Sequence, residues 1–285
     1  MILRKIAAFI VLFLLLGGQV YGQETKPLEE KREKGFYGEI WKRVTHDYGN
    51  FYAGPGNLLK MSLGVGAASL MANTSADQNF RNWYKDNHRN GRTDDFSKLA
   101  KLLGEGKYLV PLSLGTAILG ETLLRDTGAS RLGNWGEKTA RAYLVGAPAV
   151  LLLQRTLGAS RPDEHEESSS EKQNRKKRNS AYRFWNDNNG VSGHAFVGAV
   201  PFITAAQMTD RLYGKITCYL LSGLAAFSRV NDDAHYLSQS LLGWSLAYLS
   251  AESVFTDNED YHISLNFLAN FHEYTYYGLF VTKYW

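Results

Sequence analysis

Apolar and small residues recur along this chain in stretches of helical length: Leu58 to Ala72, Tyr108 to Leu124, Trp135 to Leu157, His194 to Thr209, Leu212 to Phe227 and Ala234 to Ser250. The pattern predicts a mainly α protein, a bundle of helices. Several stretches are rich in Gly and Ala, such as Leu63-Gly64-Val65-Gly66-Ala67-Ala68 and Val145-Gly146-Ala147, which lets helices approach closely, as they also do in membranes. The uninterrupted apolar runs are about 10 to 16 residues, short of the roughly 20 that a spanning helix needs. Mean hydropathy is −0.30, so a soluble or surface-associated bundle is expected ahead of an integral membrane one. Near the end the period changes. Ile263 to Phe267 alternates and Tyr276 to Trp285 is rich in aromatic and β-branched residues, which predicts a short C-terminal β-hairpin.

Outside the apolar stretches the chain is punctuated by polar segments. Arg4 and Lys5 precede an apolar run from Ile6 to Leu16 and small residues through Gly22, the layout of a secretory signal peptide cleaved near Gly22. The expected location is therefore exported, periplasmic or membrane-associated. Glu24 to Lys34 is charged and lacks an apolar period, so residues 23–57 read as a lead-in to a helical domain spanning 58–252. Within that domain, residues 163–180 are polar throughout, acidic first and basic afterwards, and predict an exposed insertion; residues 253–285 form the tail.

With 285 residues and 44% hydrophobic content the chain can bury a full core. A net charge of +4, much of it from one local run, gives no reason to expect nucleic acid as a partner. Cys218 is the only cysteine and lies in an apolar stretch, so it excludes an internal disulfide and reads as packing.

Three short blocks carry the chemistry: Arg161-Pro162, Ser192-Gly193-His194, and Ser228-Arg229 followed six residues after the arginine by His235. Arginine forks bind a tetrahedral oxyanion bidentately, and histidines can attack it or protonate its leaving group. Gly190 to His194 precedes an apolar helix, where unpaired backbone N–H groups and the helix dipole attract an anion. Pro162 is expected to end the long helix that starts near Trp135, holding Arg161 at its C-terminus. Asp232 and Asp233 are expected to cap the helix that follows them. No cysteine pair, H-E-x-x-H motif or P-loop is present, and Gly104-Glu105-Gly106 lacks the strand and lysine of a nucleotide site. Neither metal nor cofactor is expected.

In order and spacing these blocks resemble the type 2 phosphatidic acid phosphatase and vanadium haloperoxidase superfamily, whose pattern is K-x6-R-P, then P-S-G-H, then S-R-x5-H-x3-D. The resemblance implies a helical bundle of the acid phosphatase and haloperoxidase type. It casts His235 as the nucleophile and His194 as acid and base, with Arg161, Ser192, Gly193 and Arg229 holding the phosphate. The implied substrate is a phosphate monoester or phospholipid-type phosphate, with association at a membrane surface in the second case. This chain departs from the pattern at Gln154 (lysine), Val191 (proline) and Gln239 (the aspartate that orients the nucleophile). Arg155 neighbours Gln154 but points about 100° around the helix. Gln239 can still accept the Nδ1 proton of His235 without supplying charge. A phosphatase of reduced rate, an anion- or lipid-binding relative without turnover, and a haloperoxidase all remain compatible with these residues.

Overall fold

The computed structural model describes residues 36–122, 130–162, 180–185, 187–256, 261–271 and 274–283. The expected leader, the charged run to Lys34 and residues 163–179 of the polar insertion lie outside the described residues. Helices dominate: α1 (Phe36–Ala53), α2 (Pro55–Asn73), α3 (Ala76–Asn87), α4 (Gly91–Leu102), α5 (Gly106–Thr122), α6 (Ser130–Leu157), α7 (Gly193–Gln207), α8 (Leu212–Ser222), α9 (Leu224–Asn231) and α10 (Leu237–Phe255). At the end of the chain β1 (Tyr261–Phe271) and β2 (Tyr274–Lys283) pair antiparallel, Tyr261 opposite Lys283 and Phe271 opposite Tyr274, with a register shift between Phe267 and Ala269.

The most apolar helix, α7, lies at the centre, packed against α5, α6, α8, α9 and α10. Phe196, Val200 and Ile203 of α7 meet Val145 of α6, Leu242 and Leu246 of α10 and Phe51 of α1 in one buried cluster. Glycines set how closely these helices pack. A methyl at Gly146 would lie 2.7 Å from the Phe196 ring, and one at Gly243 would fall on the Ser192 carbonyl oxygen.

Prolines inside α6 and α7 each free a carbonyl one turn back, because proline has no N–H to donate. Tyrosines take up both. Pro201 frees the Val197 carbonyl, which accepts from Tyr143 Oη at 2.7 Å, and Pro148 frees that of Leu144, which accepts from Tyr48 Oη at 2.9 Å. Tyr52 Oη donates to the neighbouring Val145 carbonyl at 2.9 Å.

Four expectations change. Residues 36–53, assigned to the lead-in, form α1, whose Val44, Tyr48, Phe51 and Tyr52 follow a helical period that the surrounding polar residues obscured. Helices α3 and α4 were not foreseen, being polar on most faces. The single stretch expected from Leu212 to Phe227 divides at Gly223 into α8 and α9, and α9 continues through Arg229 to Asn231. Finally, α6 ends at Leu157, before Pro162: Gly158 takes the left-handed conformation (φ 48°) and terminates the helix, with its carbonyl accepting from Arg183 N at 2.6 Å.

No helix among the described residues is long and apolar enough to cross a membrane. Leucines are nonetheless exposed on several of them, including Leu59, Leu63 and Leu70 on α2 and Leu212 and Leu220 on α8.

Tyr143→Phe leaves the Val197 carbonyl without its donor. The expected cost is about 1 to 3 kcal/mol of stability, read as a lower urea midpoint with unchanged helical circular dichroism.

Candidate active site

Three chain segments converge around the start of α7. After Gly158 turns the chain out of α6, Ser160 and Arg161 run alongside the segment that leads into α7. Gly190 donates its N–H to the Gln154 carbonyl at 3.2 Å and sits so tightly on α6 that an added methyl would lie 2.7 Å from Leu157 Cβ. Ser192 N donates to the Gln239 carbonyl at 2.9 Å, which ties the start of α7 to the first turn of α10. From the third segment, Ala234 N and His235 N both donate to the Arg229 carbonyl, at 2.9 and 3.1 Å, folding His235 back over the end of α9.

Ser192 is the N-cap of α7 and its Oγ accepts from Ala195 N at 3.3 Å, while the hydroxyl hydrogen can still donate. Gly193 follows it. The Gln154 amide donates to the Val191 carbonyl at 3.1 Å, and its nitrogen lies 3.2 Å from where a methyl at Gly193 would sit. Gln154 therefore reaches the glycine turn with a neutral donor where the resembling pattern has lysine. Arg155 is exposed, its carbonyl accepting from Trp185 N at 3.2 Å; the structure does not bring its side chain to the cluster, consistent with its turn around α6.

The orientation of Gln239 follows from its backbone partners. Tyr236 N can only donate and the Ser160 carbonyl can only accept. Gln239 Oε1 must therefore face Tyr236 N (3.1 Å), and Nε2 must face the Ser160 carbonyl (3.1 Å). Oε1 also lies 2.9 Å from His235 Nδ1, so that nitrogen is the one carrying hydrogen. The His235 Nε2 lone pair is left for chemistry. An amide here performs the tautomer selection that an aspartate performs in comparable sites.

Both arginines are aimed by neighbours. Arg161 Nε donates to Asn189 Oδ1 at 2.8 Å. Arg229, buried in the last turn of α9, donates through one terminal nitrogen to Asp232 Oδ2 at 3.3 Å, and Ser97 Oγ donates to Asp232 Oδ1 at 2.6 Å. The expected helix-capping role of Asp232 and Asp233 is corrected. Asp232 orients Arg229, and Asp233, in the left-handed region (φ 57°), takes a two-pronged bond from Arg81 at 2.7 and 2.6 Å. The first turn of α10 is satisfied instead by Asp77 of α3, which accepts from Ser238 N at 3.0 Å and from Ser238 Oγ.

These positive charges act on both histidines. Burial, then Arg161, Arg229 and His194, push the His235 pKa down to about 3, against the opposing hydrogen bond from Gln239. Burial, Arg229, Lys101 and Arg161 also hold His194 below its ordinary value, opposed by Glu105. Arg161, Arg229, His194 and His235 thus form one electrostatic cluster at the N-terminus of α7, a place suited to an anion.

The family model of the PAP2 superfamily matches residues 139–261, the stretch holding Gln154, Arg161, the Ser192-Gly193-His194 turn, Arg229, His235 and Gln239. Over that stretch the chain is similar to the PAP2 superfamily. No curated protein and no solved structure matches it in the corresponding comparisons. The similarity points to phosphatase-type chemistry on phosphate esters. The sequence does not announce the part that several residues play around this site: Asn189, Ser160 and Asp232, and, from outside the matched stretch, Ser97 and Glu105. Side chains that aim other side chains carry no spacing signature, although Asp232, three residues past Arg229, has the i, i+3 spacing of a helical pair.

The depressed His235 pKa couples stability to pH. Between its ordinary 6.5 and about 3, unfolded His235 binds a proton that the folded residue does not, so its contribution to stability is present above 6.5 and is lost as pH falls toward 3. From pH 7 to 5 the expected loss is about 2 kcal/mol more for the native chain than for His235→Asn, read from urea midpoints at the two pH values.

Proposed function

We propose that this protein is an exported phosphatase that hydrolyses phosphate monoesters or lipid phosphates through a phosphohistidine on His235. The observation that carries the reading is the Gln239 amide, locked by Tyr236 N and the Ser160 carbonyl, which leaves an unprotonated Nε2 on His235 between two arginines. The phosphate sits at the start of α7 against Arg161, Arg229, the Ser192 hydroxyl and the Gly193 amide. His235 Nε2 attacks phosphorus and the bond to the leaving oxygen breaks, with His194 giving that oxygen a proton. His194 then takes a proton from water as the water attacks the phosphohistidine, releasing phosphate and restoring His235. The arginines and backbone amides hold the charge that builds on the equatorial oxygens.

Two exposed aromatic residues, Phe184 and Trp185, pack with tilted rings 5.6 Å apart on the segment that leads to Asn189, the partner of Arg161. They support a substrate with an apolar tail. The second reading, anion or lipid binding without turnover, is favoured by the two neutral side chains Gln154 and Gln239, which supply no charge to a transition state that gains from it.

His235→Ala is expected to abolish release of phosphate from both aryl and lipid phosphates while the unfolding midpoint stays near that of the native chain. Acid-labile label from a radioactive ester, trapped on the native chain and absent from the variant, separates hydrolysis from binding alone. For Gln239→Asp the expected outcome is divided. The added carboxylate stabilises the imidazolium that forms on His235 and raises kcat, while the Ser160 carbonyl loses its donor and stability falls by about 1 to 3 kcal/mol. A lower kcat in that variant would overturn the role given to position 239.

A further inference from the structure

The turn between α4 and α5 carries Gly104-Glu105-Gly106, a triplet with no place in the phosphatase pattern and outside the matched stretch. It lies directly on the first turns of α7. A methyl at Gly104 would come within 2.9 Å of the His194 carbonyl oxygen and 3.3 Å of His194 Cβ, and one at Gly198 within 2.7 Å of the Leu103 carbonyl oxygen. The glycines are needed for this close backbone approach, which seats the next residue, Glu105, beside the His194 ring. Glu105 Oε1 is 3.8 Å from His194 Nε2, and the other oxygen, Oε2, meets Lys107 Nζ at 3.3 Å. The Glu105 carbonyl accepts from Tyr108 N at 3.0 Å and Leu109 N at 3.3 Å, which fixes the residue at the start of α5.

We propose that Glu105 is the positioning residue for the acid and base His194, holding its Nε2–H edge so that Nδ1 exchanges the proton, first with the leaving oxygen and then with water. This rests on the phosphatase reading above. The charges that act on His194 come from every neighbouring element: Arg229 of α9, Arg161 beyond α6 and Lys101 of α4, all opposing its protonation, and Glu105, which favours it. His194 must be protonated to serve a leaving group, yet burial and three cations work against that. Glu105 is the counterweight. His194 is half exposed where His235 is buried, so one histidine stays a neutral nucleophile while the other is kept within reach of a proton.

The test uses the full chain and its variants Glu105→Gln, which keeps shape and removes charge, and Glu105→Asp, which keeps charge. Activity is measured against p-nitrophenyl phosphate, whose leaving group needs little protonation, and against an alkyl phosphate, whose leaving group needs it. Glu105→Gln is expected to lose roughly tenfold or more on the alkyl ester and much less on the aryl ester, with the alkaline limb of the pH profile moved to lower pH and partial recovery in Glu105→Asp. Nuclear magnetic resonance titration of the His194 ring, with inorganic phosphate absent and present, is expected to show a lower pKa in Glu105→Gln. Equal losses on both esters, or a His194 titration that does not move, would overturn the proposal. A native chain that hydrolyses neither ester while the titration moves would sink the phosphatase reading, and the acid role with it, leaving only an ion pair.

Discussion

Two guanidinium groups that cannot lose their protons share one small space with two imidazoles that can. Everything else at the site adjusts to that. Arg229 is buried and Arg161 is fixed by Asn189, so neither can swing away to relieve the repulsion. The histidines yield, and both are held below their ordinary pKa. The cluster is therefore positive through its arginines, with His235 uncharged. A phosphate dianion reverses the balance. By offsetting the arginines it would remove the charges that, after burial, oppose protonation of His194. The two histidines differ in burial, His235 being buried and His194 half exposed.

That arrangement depends on helices that the family match does not include. α3 and α4 grip the segment carrying His235: Arg81 holds Asp233, Asp94 and Tyr84 hold Asn231 at 2.8 and 2.9 Å, and Ser97 holds Asp232. Asp77 supplies from α3 the cap that the side chain at the N-cap of α10, Tyr236, does not. Burial raises the Asp77 pKa, while its bonds to Ser238 lower it. The cost of burying a carboxylate there is offset by fixing the turn that presents His235 and Gln239. On the opposite side, Gly243 lets α10 lie against the Ser192 carbonyl, so His235 and the glycine turn before α7 are set by one helix contact.

The candidate cluster was legible in the sequence because it depends on residue types at fixed spacings. Arg161, Ser192, Gly193, His194, Arg229 and His235 stand together as their blocks implied, and the Gln239 contact with His235 follows from an i, i+4 spacing. The apolar helices were legible for the same reason. Two kinds of feature were not. Amphipathic α1 and the polar α3 and α4 gain their stability from ion pairs and aromatic contacts with partners about 90 to 160 residues away, as with Arg141 on Asp47 and Arg81 on Asp233, and no local window contains such partners. α6 is ended by Gly158 and not by Pro162, because a glycine that can take positive φ is the commoner terminator.

The two glutamines offset each other in charge. Relative to the resembling pattern, Gln154 removes one positive charge from the anion site and Gln239 removes one negative charge from behind the nucleophile. The net charge of the cluster is unchanged. Had only the lysine been lost, the aspartate would have been left close to a weaker positive field and the site would hold anions less well. Had only the aspartate been lost, three fixed cations would have faced His235. Losing both keeps the field near that of two arginines and preserves geometry through neutral hydrogen bonds, since Gln154 still donates at the glycine turn and Gln239 still selects the His235 tautomer. What the pair gives up is response: neither side chain strengthens its interaction as charge builds during phosphoryl transfer. The remaining burden of charge at such a site falls on Arg161, Arg229 and the amides of α7.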